Sequence, residues 1–266
     1  MAEKDLFVSE PNPSWFGNPQ NVTNANWTNL NWLKSRFHFS FAEYNNPANS
    51  NFGVLRVMND DLVQPSRGFG THPHREMEIC TYVVEGHLTH KDSMGTQETL
   101  GPGSVQFMTA GTGVQHSEYN LSPNAPLRFI QMWIAPSARG LDPNYGSACG
   151  TKVNRKNLWA HLVSDVKSQA ATPVKINQDA NIFVSELQEG ASLAMSIGEG
   201  RQAYLLCIDG GILVKSNGAA VGSLVKHDAS EIVGGVILDI CAQEGKGAHL
   251  LYVEMKGQGE HSRFRR

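Results

Sequence analysis

From Phe37 onward, apolar and polar positions alternate over short runs, a period of two that predicts strands rather than helices. Phe37-His38-Phe39-Ser40-Phe41 is the first such run and Gly53-Val54-Leu55-Arg56-Val57-Met58 the second. Met77 to Glu85, with Tyr82, Val83 and Val84, is the firmest. Glu85-Gly86 predicts a hairpin into His87-Leu88-Thr89-His90, Gly101-Pro102-Gly103 a turn into the strand ending at Met108, and Arg128 to Ile134 a closing strand. Asn45-Asn46-Pro47 and Asn59-Asp60-Asp61 read as turns. Residues 1 to about 30 carry no defensible period. Pro11, Pro13 and Pro19 interrupt any helical register, while Trp15, Phe16 and Trp27 predict an arm that packs.

Pro136 to Arg155 loses the apolar period and reads as a linker. Short strands then return at Ile182-Phe183-Val184, Leu193 to Ile197, Ala203 to Ile208, Gly211 to Val214 and Gly235 to Ile240. The order Tyr204 to Ile208, then Asp209-Gly210-Gly211, then Val214 echoes Tyr82 to Gly86 and the strand after it. This predicts a duplicated all-β unit: residues 1–140, a linker at 141–156, and a second domain at 157–266.

Composition narrows the class. A chain of 266 residues fits one large or two modest domains, 40% hydrophobic content supplies ordinary cores, and 26 Gly with 12 Pro fit a turn-rich β protein. A formal net charge of −3 gives no reason to expect direct nucleic-acid binding, and no apolar run approaches a membrane span. The start, Met1-Ala2-Glu3-Lys4-Asp5, lacks the basic and apolar pattern of a secretory signal, so an intracellular location is expected, cytoplasmic with the nucleus left open. Cys80, Cys149, Cys207 and Cys241 are scattered and read as reduced thiols; the triplets at Asn21, Asn26 and Asn120 should then stay unglycosylated.

The candidate chemistry lies between Gly68 and Asn120. Side chains alternate faces on a strand, so His72 and His74 point one way together, as do His116 and Glu118. If the two pairs face each other across a sandwich or barrel, three imidazoles and one carboxylate converge. Neutral nitrogen with a hard oxygen suits a divalent first-row metal. His87 and His90 are an odd number of residues apart, hence on opposite faces, and are read as ordinary semi-exposed histidines; His38 is read as packed. After residue 155, His161, His227 and His249 are isolated, so no metal is expected in the second domain.

Phe69-Gly70-Thr71-His72-Pro73-His74-Arg75-Glu76-Met77-Glu78, Tyr82 to Gly86, His90-Lys91-Asp92-Ser93, Pro102-Gly103 and Ala110-Gly111-Thr112-Gly113 running into His116-Ser117-Glu118-Tyr119-Asn120 resemble the two short motifs of the cupin superfamily, and more narrowly the pirin family. Trp32 to Ala42 and Leu55 to Asp61 also fit, so the likeness covers roughly residues 30 to 135. It implies two tandem cupin-type β-sandwich domains with little helix. It also implies one divalent ion, Fe(II) foremost, held by His72, His74, His116 and Glu118. Glu78 stands where many cupins place an acidic ligand; with Glu118 as the acid, Glu78 becomes an orienting or buried partner. Three functions follow from the resemblance. The first is a quercetin 2,3-dioxygenase that opens a flavonol with O2 and releases carbon monoxide, with Glu118 also as general base. The second is a non-enzymatic iron-binding redox sensor that partners transcription factors, and the third a metal-stiffened scaffold.

Overall fold

The computed structural model describes residues 6–9 and 31–257, which divide into two compact units. The proline-rich stretch with Trp15, Phe16 and Trp27, the Asn21 and Asn26 triplets and the basic tail lie outside the described residues. The first unit holds β1 (Phe7–Ser9), β2 (Leu33–Phe37), β3 (Leu55–Val63), β4 (Arg67–His74), β5 (Glu78–Glu85), β6 (Leu88–Asp92), β7 (Gln97–Leu100), β8 (Val105–Thr109), β9 (Val114–Asn120), β10 (Leu127–Ile134) and β11 (Asn144–Ala148). The second holds β12 (Ala160–Asp165), β13 (Val174–Ile176), β14 (Ala180–Leu187), β15 (Ser192–Ile197), β16 (Arg201–Ser216), β17 (Ala219–Val225), β18 (Ala229–Val233), β19 (Val236–Ala242) and β20 (Ala248–Lys256). Among the described residues one short 3-10 turn at Gly150–Lys152 is the exception to an all-β arrangement, as the alternation predicts. Among the described residues no helix is long and apolar enough to cross a membrane.

The first unit pairs a seven-stranded sheet, β1-β2-β3-β10-β5-β8-β11, with a four-stranded one, β4-β9-β6-β7. β3, β5 and β10 lie inside the larger sheet and are buried along almost their whole length; β5 and β10 are accordingly mostly apolar, whereas β3 carries a buried polar run at its centre. Between the sheets Val83, Leu127 and Phe129 meet Leu88, Leu100 and Phe69. A second cluster gathers Ile79, Met108 and Val114. Each such side chain contributes about 1.5–3 kcal/mol by leaving water, which holds the two sheets face to face.

Two expectations need correction here. Asn59-Asp60-Asp61, read as a turn, lies in the middle of β3. Its polar side chains are buried, and two find partners in neighbouring strands, Arg128 for Asp60 and Ser35 for Asp61, while Asn59 lies in register with Gln131. Pairing across strands overrides the local turn propensity. The stretch 141–156, read as a linker, contains β11, which adds to the edge of β8. The division between units falls after Val153, and Phe52–Val54 groups with the second unit.

The second unit runs β13-β12-β14-β20-β16-β19-β15, with β17 and β18 also on β16. The two strands expected around Asp209-Gly210-Gly211 are one strand of 16 residues. Its first half pairs with β18 and β20 and its second with β17 and β19, after a register shift between Cys207 and Asp209. Gly210, at φ +79°, makes the bend without ending the strand; a Cβ there would fall 1.8 Å from the Gly247 carbonyl oxygen.

Arg128 Nε and Nη2 donate to Asp60 Oδ1 and Oδ2 at 2.8 and 2.7 Å, tying β10 to β3 where both side chains are buried. Arg128→Met leaves Asp60 buried without its cation. Chemical denaturation should show a loss of about 3–5 kcal/mol, the usual cost of halving a buried pair. Combining it with Asp60→Leu should recover most of that loss.

Candidate metal centre

β4 is an edge strand, which accommodates Pro73 and its missing backbone donor. It pairs with β9 so that Phe69 lies opposite Glu118 and His72 opposite His116. Three steps along β4 thus match two along β9, the signature of a β-bulge. The bulge converts an odd spacing into a shared face: Phe69 enters the core, and His72, His74 and Glu118 line one cavity. Gly68 permits the close approach of the two strands, since a Cβ there would lie 2.4 Å from the Glu118 carbonyl oxygen. The two ligand pairs, expected to face each other across the sandwich, are instead neighbours within one sheet.

The three imidazoles form a tight group. Ring centroids are 4.8 Å apart for His72 and His74, 4.5 Å for His72 and His116, and 4.8 Å for His74 and His116. Nε2 of His116 and Nε2 of His72 stand 3.1 Å apart. His72 Nδ1 donates to the Gly70 carbonyl at 2.7 Å, which fixes the tautomer and turns the Nε2 lone pair towards His116. One ligating atom from each of the three lies within 4.8 Å of the others. Two lone pairs aimed at one point repel unless a proton or a cation lies between them, so the donor set fits a metal ion.

Glu118 reaches across to the larger sheet. Gln106 Nε2 donates to its Oε1 at 2.8 Å, Gln131 Nε2 to its Oε2 at 3.0 Å, and Thr81 Oγ1 lies 3.3 Å from Oε1. Thr81 Oγ1 donates more closely to Gln131 Oε1, at 2.6 Å, which locks that amide. These donors occupy adjacent positions on β10, β5 and β8, a polar row inside an otherwise apolar layer. Burial pushes the Glu118 carboxyl up to about 7, against the pull of its three donors. It pushes the imidazoles the other way: His116 falls to about 2 and His74 to about 4, with neighbouring histidines adding to the effect, and His72 is lowered too. All three are therefore neutral at pH 7 and need shed no proton to accept a cation.

Beside this group lies a cavity of about 190 Å³ whose walls include Trp32, Phe37, Phe41, Phe69 and Trp133. Trp133 stands edge-on to His74, ring centroids 4.8 Å apart. The opposite wall carries Ser35, Asn59 and Asp61 from the larger sheet. Burial, with Asp60 and Glu118 nearby, pushes the Asp61 carboxyl up to about 8.

His90 departs from the sequence reading. It is fully buried rather than semi-exposed, sits opposite Glu118 on β6, and forms a second close group with His116 and Glu118. Its Nε2 lies 2.9 Å from Asp92 Oδ2, and its ring stacks on Tyr145 at 4.5 Å. The alternation His90-Lys91-Asp92 was the available signal, obscured by pairing His90 with His87, which is exposed. Glu76 accepts from the Gly140 backbone N–H, and Glu78 accepts from Thr109 Oγ1 on the face of β5 opposite Thr81. His38 is buried, as expected. Among the described residues, groups of this kind occur only in the first unit.

Residues 20–134 match the family described as Pirin, and residues 161–255 match the quercetinase C-terminal cupin domain, so the two units are tandem cupin domains. The chain is 38% identical to a pirin-like protein of Caulobacter vibrioides, across 80% of this chain and 89% of that one. It is 38% identical to the quercetin 2,3-dioxygenase of Escherichia coli strain K12, across 70% of this chain and 78% of that one. The bacterial pirin YhhW of Escherichia coli in complex with nickel(II) has a TM-score of 0.76 at 28% identity, covering 95% of this chain and 100% of that one.

The opposed shifts set the pH dependence of the metal-free fold. Glu118 and Asp61 bind protons more tightly folded than unfolded, so they favour the fold increasingly as pH falls from about 8. The imidazoles resist protonation in the fold, so they oppose it below their unfolded value of 6.5. Melting temperatures of the metal-free protein should rise from pH 8 towards 6.5 and then level or decline. Glu118→Gln should flatten the limb above pH 6.5. A melting temperature that climbs steadily from pH 6 to 8 would contradict these shifts.

Proposed function

We propose that this chain, which belongs to the pirin family, binds one divalent ion through His72, His74, His116 and Glu118 and uses it to oxidise a flavonol such as quercetin with O2. The observation that carries this reading is the tight group of three neutral imidazoles beside an aromatic-walled cavity, one of which, His116, also forms a close group with the buried Glu118 carboxyl. The name of the Escherichia coli relative supports the substrate class, and nitrogen with a hard oxygen suits Fe(II) among first-row ions.

When bound, the ion supplies a Lewis-acidic, redox-active centre at the edge of the cavity. The protein supplies the rest. The Gly70 carbonyl holds the His72 ring with Nε2 turned to the centre. The aromatic walls orient a planar ring and exclude water from it. Glu118 acts on the flavonol 3-hydroxyl: one Oε accepts its proton, and a carboxyl poised near pH 7 can hold that proton or give it up. Gln106 and Gln131 keep the side chain in place as its charge changes, since their amides bridge it to β8 and β10. O2 then adds across C2 and C4 of the deprotonated ring, the C2–C3 and C3–C4 bonds break, C3 leaves with its own oxygen as carbon monoxide, and the proton held by Glu118 returns to the carboxylate of the product.

The test is O2 consumption and carbon monoxide release by Fe(II)-loaded protein given quercetin. Turnover supports the reading, and stoichiometric metal without turnover contradicts it. Glu118→Gln keeps the size and one oxygen but cannot accept the proton, so turnover per bound metal should fall by about 10² or more. If Glu118 were a ligand alone, metal affinity would fall while activity per metal stayed near normal. Removing the metal should also lower the melting temperature, because ligands from β4 and β9 meet only in the folded chain.

A further inference from the structure

The wall of the cavity facing the metal centre carries polar groups that neither the fold nor the proposed chemistry uses. The polar row that anchors Glu118 does not stop at Gln131. In register it continues onto β3 as Asn59, with Asp61 two residues on along the same face and Ser35 beside Asp61 on β2. All three line the cavity.

Their hydrogen bonding is incomplete. Ser35 Oγ donates to Asp61 Oδ1, and among the described residues it is the one side-chain donor to that carboxyl. Asn59 is 3% exposed and its Oδ1 has no hydrogen-bond partner. The contrast with Asp60 is sharp: one residue away, on the other face of β3, that carboxylate has a bidentate arginine. A buried acid without a cation and a buried amide oxygen without a donor both cost stability. They also break the strand pattern where Asn59-Asp60-Asp61 reads as a turn, and local inconsistency of this kind marks functional positions.

Both unpaired groups are acceptors, and the flanking walls are aromatic. The matching ligand is a planar ring that carries hydroxyl donors. A cavity of about 150 Å³ accommodates benzene, so about 190 Å³ admits one substituted ring while the rest of a larger molecule lies outside.

We infer that Asn59 and Asp61, with Ser35 holding the Asp61 side chain, form a hydroxyl-recognition wall that selects polyhydroxylated aromatic rings over bare ones at the metal centre. This rests on the flavonol reading for its substrate class. Asp61 is here a binding residue that sets specificity. The ring enters between the imidazoles and β3, and a hydroxyl donates to Asp61; Asn59 Oδ1, buried behind the wall, takes a second hydroxyl once its amide turns towards the ring.

The test is binding by metal-replete protein with O2 excluded, read from tryptophan fluorescence, using quercetin and 3-hydroxyflavone. The second ligand keeps the 3-hydroxyl and lacks the other ring hydroxyls. Wild-type protein should bind quercetin more tightly. Asp61→Asn should lower quercetin affinity by up to about tenfold, the upper end for one net hydrogen bond, and leave 3-hydroxyflavone affinity unchanged. Ser35→Ala should give a smaller loss of the same selectivity. Neither variant should lose metal, and Asp61→Asn should melt at the wild-type temperature or above it, since it removes a poorly compensated buried acid.

Equal effects on the two ligands, or none, would overturn the inference, as would a lowered melting temperature with unchanged selectivity, which is what a merely structural Asp61 predicts. Failure of wild-type protein to bind either ligand would overturn it together with the flavonol reading. Selective binding that Asp61→Asn abolishes, without O2 consumption, would support the wall and count against the dioxygenase activity alone.

Discussion

A carboxylate buried between two sheets is the constraint on which the first domain depends. Glu118 is 2% exposed, and taking its charge out of water would cost several kcal/mol without partners. Three strands of the larger sheet answer that cost with one polar residue each: Thr81, Gln106 and Gln131 stand side by side where apolar residues would pack more simply. The apolar clusters on either side, around Phe129 and around Met108, close over the row and shield it. The amide donors are neutral, so they satisfy the oxygens without balancing the charge. A cation among the neighbouring imidazoles would do both.

Strand geometry delivers the imidazoles to that carboxylate. Alternation alone sets His72 with His74 and His116 with Glu118, but it cannot set Phe69 and His72 on one face. The single bulge in β4 does so, and the same strand can carry Pro73 because one of its edges is free. Small features of the backbone thus decide which side chains enter the cavity. The second domain shares the strand-rich plan, yet its long β16 bends through Gly210 where the first domain turns at Gly86 into a separate strand.

Much of this was legible in the sequence because it rests on local spacing. The i, i+2 pairs, the strand character of Met77 to Glu85 and the repeat of strand–glycine–strand units all follow from period two and turn chemistry. What the sequence hid was nonlocal. Asn59-Asp60-Asp61 has turn composition, and its place inside β3 follows from Arg128 and Ser35, 68 and 26 residues away. His90 looked like half of a surface pair with His87 until its strand was laid against β9. Nothing in the spacing of Thr81, Gln106 and Gln131 foretold that they would meet one carboxylate. Asn59 and Asp61 line the cavity, where side chains are chosen for something other than the stability of their own strand.

The proposed centre has His72, His74, His116 and Glu118 holding one ion. Anomalous X-ray diffraction at the absorption edge of the native metal, from crystals of the full chain, would locate it most directly. The account predicts one ion per chain, within about 2.0–2.2 Å of a nitrogen from each of His72, His74 and His116 and of an oxygen from Glu118. An ion held through His90 in place of His72 or His74, or an ion in the second domain, would contradict it.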